Sequence, residues 1–228
     1  MSSTADPTPT DTPTDTRVMG LIHSVYRREL RLAGQVVRSV ADADQARAAV
    51  VADHLQLVHD HLHHHHSAED ELLWPLLLDR VADELAPLVH LMEQQHHRVG
   101  GLLEEITAAL PAWRAHARAT DRDTLADLHD RLYVHLVEHL DAEEERLLPI
   151  ASRAVTQQEW DAMGENARSR TPRSHSLLVL GMIVQDGDPE LVATMLADAP
   201  APVRWLLPRL GRRAYRRHAR AVYGTPSP

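Results

Sequence analysis

Residues 61–75 read HLHHHHSAEDELLWP and residues 135–149 read HLVEHLDAEEERLLP. Both fit the repeat H-L-x-x-H-x-x-A-E-[DE]-E-x-L-x-P, in which a histidine stands four residues before a glutamate. On a helix that spacing places both side chains on one face, about a turn apart. The face is the apolar one. At about 100° per residue, the side chains within about 60° of His65 are Val58, His61, Leu62, Glu69, Leu72 and Leu76. The same projection gathers Leu132, Leu136, Glu143 and Ile150 around His139. An anionic glutamate inside an apolar core is costly unless it is paired, protonated or bound to metal. Two such carboxylates, each with a histidine one turn away, point to a shared metal site.

The surrounding sequence supplies further helices and no strand or hairpin signal. Helices are predicted over 17–41, 43–80, 84–110 and 121–153, with Pro87 in the first turn of the third and Pro111 at its end. Asp121 or Asp123 is the expected N-cap of the fourth. The fold class expected is all-α, an up-down four-helix bundle over residues 17–154. Residues 1–16 are Thr, Pro, Asp and Ser almost throughout and are predicted to be a disordered tail. Beyond Pro149 the pattern changes. Thr156 and Glu159 have the form of a capping box, a helix is expected near 176–185, Asp188-Pro189-Glu190 opens another, and a basic helix spans about 203–223. Residues 155–228 therefore read as a helical extension of the bundle.

Composition narrows the chemistry. With 43% apolar and 25% charged residues the chain can build a core, and with no cysteine it has neither disulfides nor thiolate ligands. Any metal must be held by nitrogen and oxygen. A net charge of −9 argues against a nucleic-acid partner. The N-terminus lacks the features of a secretory signal and no apolar run approaches a membrane span, so a cytoplasmic protein is expected. One stripe of the first helix carries His23 with Met19, Tyr26, Leu30 and Val37; one stripe of the third carries His96 with Met92, Val99, Leu103 and Leu110, while His97 points aside. Four imidazoles and two carboxylates suit two ions bridged by the glutamates. This donor set favours iron or manganese, with zinc possible; two irons are the expected cofactor, manganese or zinc being less expected.

The motif pattern resembles the HHE branch of the hemerythrin superfamily, through residues 22–30 (IHSVYRREL), 65–70 (HHSAED) and 139–144 (HLDAEE). The resemblance covers about residues 17–153 and implies the metal ligands His23, His65, Glu69, His96, His139 and Glu143. Two departures separate the chain from the oxygen-carrying hemerythrins: Gly100 stands four residues after His96 where they have a second histidine, and the last motif has glutamate at the fourth position rather than aspartate at the fifth. Ferritin-like diiron proteins use Glu-x-x-His instead, and no properly placed pair of that kind is present.

Several other residues invite a role. In the run His63–His66, only His65 is expected to face the core and the others to be solvated. His61 and His135 are expected to support the ligands or the packing rather than to bind metal, and Tyr26 and Tyr133 to lie at the core edge. Trp205, Leu206, Leu207, Leu210 and Tyr215 are expected to pack the basic helix on the acidic bundle, so membrane contact through 203–223 is not expected. The function expected is a non-haem diiron protein that binds or reacts with dioxygen, hydrogen peroxide or nitric oxide, with peroxide disproportionation the reaction if it is an enzyme. The alternative is a non-catalytic iron or oxygen sensor whose metal state controls the extension. One chain supplies the whole expected site, and the sequence leaves the oligomeric state open.

Overall fold

The computed structural model describes residues 13–197 and 199–228, without the side chains of 82–84. Most of the tail expected to be disordered, residues 1–12, lies outside the described residues. Thr14 is buried, its hydroxyl donating to the Val155 carbonyl at 2.7 Å and its amide to the Ser152 carbonyl at 2.8 Å.

The described residues are helical and contain no strand. The order is α1 (Arg17–Arg38), α2 (Gln45–Ala68), a π-helical turn (Glu69–Leu73), α3 (Trp74–His116), α4 (Ala119–Ala142), a second π-helical turn (Glu143–Leu147) and α5 (Leu148–Ala154). Then follow α6 (Gln157–Ser169), α7 (Arg173–Asp186), α8 (Pro189–Met195) and α9 (Ala201–Tyr223). α1 packs on α4, α4 on α3, α3 on α2 and α2 on α1. Val81 (φ −139°, ψ 35°) breaks α3 where the sequence separates its second and third helices.

Two boundaries differ from expectation for identifiable reasons. Pro111 does not end α3, which runs on to Ala117 in the left-handed conformation (φ 49°). Trp113 is fully buried beyond the proline, and its packing outweighs the lost backbone hydrogen bond. α4 starts at Ala119 rather than at 121, and neither Asp121 nor Asp123 caps it; the Ala119 amide donates to Asp42 Oδ1 at 2.8 Å, a cap supplied from the loop between α1 and α2.

The core is divided. One apolar cluster joins residues such as Leu30, Leu55, Ile106 and Leu132 with Met182, Tyr215 and Val222 of the extension. The other joins Met19, Leu73, Trp74, Met92, Leu147 and Trp160. Between them along the helices lie His23, His65, His96 and His139. In the first cluster His59 and His129 stack with Nε2 atoms 3.2 Å apart, and burial holds His59 well below its ordinary pKa and His129 down to about 4. Both are neutral core residues.

α6 opens with the expected capping box between Thr156 and Glu159, and Asp188 caps α8 through the amides of Glu190 and Leu191. α7 and α9 cross closely at Gly181 and Gly211, where a Cβ on Gly181 would overlap the Gly211 carbonyl. The pair is fastened to α1 and α2 through Glu29, which is fully buried. Arg28 donates to Glu29 Oε1 from Nε (2.9 Å) and Nη2 (2.6 Å), Tyr215 from its hydroxyl (2.7 Å), and Tyr223 to Oε2 (2.6 Å), with His54 Nε2 at 3.2 Å. Burial alone would raise this carboxyl, but the contacts with His54, Arg28 and Tyr223 outweigh it and hold it well below the ordinary range.

The basic helix departs from expectation. Of the five apolar residues expected to seat it, only Tyr215 is buried; Trp205 is 61%, Leu206 45% and Leu210 40% exposed. The stripe that faces the protein is instead Gly211, Tyr215, Ala219 and Val222. No described helix is long and apolar enough to cross a membrane.

Glu29→Ala, which strands the Arg28 guanidinium, is expected to lower the unfolding free energy by about 3–5 kcal/mol and to expose α7–α9 to trypsin at neutral pH. Because the folded carboxyl titrates below its ordinary 4.5, Glu29's contribution is complete above that pH and is lost as the pH falls below it. Urea titrations of the two proteins should therefore converge in acid.

Candidate metal centre

His65 and Glu69 close α2, and His139 and Glu143 close α4, each pair one turn apart at a π-helical turn that begins on the glutamate. The cause is in the repeat. Pro75 and Pro149 lack an N–H and their rings crowd the carbonyl four residues back, so the turn widens: the Trp74 amide bonds the Glu69 carbonyl and the Leu148 amide bonds the Glu143 carbonyl.

His23 from α1 and His96 from α3 complete the layer. His23 and His65 bring their Nε2 atoms within 3.2 Å of each other, and His96 and His139 theirs within 3.1 Å. Glu69 spans both pairs: Oε1 is 3.2 Å from His65 Nε2 and Oε2 is 3.5 Å from His96 Nε2. Glu143 Oε2 lies 3.4 Å from His23 Nε2 and 3.7 Å from His139 Nε2. All six residues expected from the sequence thus meet in one buried layer.

The structure adds His66, which was expected to be solvated. It is 6% exposed, stacked on His96 at 4.2 Å between ring centroids, with its Nε2 buried and lacking a hydrogen-bond partner. It lies about 100° around the helix from His65, a rotation that carries it inward beside His96 of α3. His63 is exposed and His64 is partly so. Two groups of converging donor atoms result, His23–His65–Glu69–Glu143 and His66–Glu69–His96–His139, sharing Glu69.

The residue after each glutamate was missed as a functional position, although the repeat marks it as [DE]. Glu144 Oε1 accepts from His23 Nδ1 and Asp70 Oδ1 from His96 Nδ1, both at 2.8 Å. Each carboxylate turns the opposite helix's imidazole so that its Nε2 faces the layer. Arg27 donates to Glu144 at 2.6 Å and the Trp74 indole N–H to Asp70 at 2.7 Å. Burial raises both outer carboxyls, but these bonds outweigh it, bringing Glu144 down to about 2 and Asp70 below its ordinary value. Both outer carboxylates are therefore ionised.

The inner pair is the reverse. Burial pushes both Glu69 and Glu143 upward, and the Glu143 charge pushes Glu69 further. None of their four oxygens has a hydrogen-bond partner. Burial likewise lowers His65, His66 and His139, leaving them neutral with nitrogen lone pairs available. Orphaned carboxylate oxygens facing neutral imidazoles fit a cation and leave the protein alone with an unmet cost.

Of the other residues singled out, His61 Nδ1 lies 2.7 Å from the buried Tyr26 hydroxyl, and the Tyr26 ring packs 5.2 Å from the His65 ring, so His61 stands behind a neighbour of the layer. His135 is half-buried and outside the layer, its Nδ1 without a hydrogen-bond partner. Tyr133 packs partly buried against the larger apolar cluster.

The model of the hemerythrin HHE cation binding domain matches residues 16–151. The chain belongs to this family. The match spans α1 to within α5, so the family's region holds the whole His/Glu layer and excludes α6–α9. Membership makes cation binding the property to expect of the layer. No curated protein and no solved structure gives a match.

The layer makes a prediction for the protein without metal. Glu69→Met removes one orphaned carboxylate at similar volume and is expected to raise the stability of chelator-treated protein by about 1–4 kcal/mol, measured by urea titration. A loss of stability would show that Glu69 is satisfied within the protein itself.

Proposed function

We propose that the chain is a non-haem diiron protein that binds or reacts with a small oxidant: dioxygen, hydrogen peroxide or nitric oxide. The observation that carries this reading is Glu69, whose two unpartnered oxygens face separate imidazole pairs. His23 and His65 would hold one ion, His96 and His139 the other with His66 beside them, and Glu69 and Glu143 would be shared. The scaffold in this reading is an up-down four-helix bundle of α1, α2, α4 and the part of α3 after Val81, in a cytoplasmic protein. Nitrogen and carboxylate donors without thiolate favour iron over zinc, and manganese remains the closest competitor.

When bound, a pair of irons supplies redox change and Lewis acidity. The chain's own residues set the rest. Glu144 and Asp70 hold the Nδ1 protons of His23 and His96 and fix both tautomers. The two apolar clusters exclude water on either side. A small, largely apolar cavity between α1, α2 and α7 is lined by Ile22, Val25, Val58 and Met182 together with Tyr26 and His61, and the Tyr26 ring packs against His65. Its free space is about that of one water-sized molecule. The His23–His65 group holds fewer imidazoles than the His66–His96–His139 group, which leaves more coordination positions there for a small ligand. As an enzyme, the protein would disproportionate peroxide, two H2O2 giving O2 and two H2O.

The second reading, a non-catalytic sensor, is favoured by where the extension attaches. α7 and α9 are fastened through Glu29 and His54 to α1 and α2, the helices that carry His23, His65 and His66. Metal-dependent ordering of those helices would reach the extension directly.

Elemental analysis of protein purified without an affinity tag is expected to give two irons per chain and a visible absorption band that changes with peroxide. Glu69→Ala and Glu143→Ala should abolish both, and oxygen evolution then separates enzyme from sensor. One zinc per chain with no spectral response would overturn the redox reading. Asp70→Asn and Glu144→Gln should keep the fold and weaken metal binding about 10–100-fold, measured by chelator competition.

A further inference from the structure

α9 is anchored on one side and unpartnered on the other. Gly211, Tyr215, Ala219 and Val222 face the protein, Tyr215 and Tyr223 donate to Glu29, and Arg47 donates to the carbonyls of Ala221 and Val222. The helix is therefore held in place. Its other face, an arc of about 140° at about 100° per residue, carries Trp205, Leu206 and Leu210 together with Arg209, Arg213, Arg216, Arg217 and Arg220, all exposed.

Among the described residues no carboxylate neutralises the charge on that face. α9 has seven arginines and no acid, while the rest of the chain has 17 arginines against 33 acids. Even so, among the described residues none of the arginines of α9 pairs with a carboxylate. Arg204, Arg209 and Arg212 bond backbone carbonyls, and the Arg209 guanidinium lies 4.1 Å over the Trp205 ring. An acidic protein that keeps its most basic helix away from its own acids has left that helix free for an anion outside the chain.

We propose that the exposed face of α9 binds the surface of an anionic lipid bilayer, the helix lying in the plane of the interface. Charge complementarity calls for an anionic partner, and the apolar residues identify which kind. A nucleic-acid backbone would use the arginines but has no place for Leu206 and Leu210, whereas a bilayer takes up both leucines and the Trp205 ring below its headgroups. The arginines snorkel to the phosphates on flexible stems, as their exposure allows. The inference is independent of the metal layer, since it uses no residue of it.

The test uses the full chain with vesicles of phosphatidylcholine alone or mixed with phosphatidylglycerol. The protein should co-sediment with the mixed vesicles at low salt, lose that binding as salt rises, and leave pure phosphatidylcholine unbound. Trp74, Trp113 and Trp160 are 3%, 0% and 7% exposed against 61% for Trp205, so a vesicle-induced blue shift of tryptophan emission reports Trp205. The doubly substituted Arg213→Glu, Arg217→Glu protein should bind at least about tenfold more weakly, and the Leu206→Ser, Leu210→Ser protein, which keeps Trp205 as reporter, should show a smaller blue shift. All four positions are exposed, so circular dichroism should show both variants folded. Co-sedimentation that is absent at low salt, equal on both vesicle types or unchanged in the arginine variant would overturn the proposal. So would binding to a single-stranded oligonucleotide that the arginine variant loses when vesicles are not bound.

Discussion

Glu69 and Glu143 put four fully buried carboxyl oxygens into one layer of the protein with no hydrogen-bond partner for any of them. Such a layer is costly on its own terms, and the surrounding side chains are arranged around it. Apolar clusters close the layer on both sides and strengthen every charge interaction within it. Imidazoles from α1, α2, α3 and α4 converge on the same oxygens. Outside them, Asp70 and Glu144 remain ionised and direct His96 and His23 inward. A cation resolves the layer's imbalance in one step, because it meets the carboxylates and the imidazole lone pairs together.

The pseudo-symmetry of this arrangement follows from the duplicated motif. His65, Glu69, Asp70 and Pro75 in one copy correspond to His139, Glu143, Glu144 and Pro149 in the other, and each copy performs the same three tasks. It offers a histidine and a glutamate to the layer, it orients a histidine of another helix, and it widens its own helix by a π-helical turn. His66 breaks the symmetry: its counterpart in the second copy is Leu140, a buried core residue. The two halves of the layer are therefore chemically unequal, three imidazoles against two.

The all-helical class and the six inward His and Glu positions were legible because periodicity reports which face of a helix is buried, and a glutamate on that face demands an explanation. His66 was not legible, since a projection with one helix facing one direction cannot show that α2 borders α1 and α3 at once. The roles of Asp70 and Glu144 were visible as a repeat position but had no meaning until the facing histidines were placed. The Asp42 cap and the Glu29 network are contacts between segments far apart in sequence, and no local pattern announces them. For α9 the basic helix was legible but the face that packs was not, because two stripes compete on that helix. Small residues and one tyrosine, rather than the large apolar residues, turned out to face the protein, because Gly181 and Gly211 let α7 and α9 approach closely.

The central claim, that two ions lie between these side chains, is tested most directly by anomalous diffraction at the iron edge from crystals of the tag-free protein. The account predicts two peaks per chain, one among His23, His65, Glu69 and Glu143 and the other among His66, His96, His139 and Glu69. A single peak, a peak on the surface at His63 and His64, or an iron-free layer in protein grown with iron would contradict it.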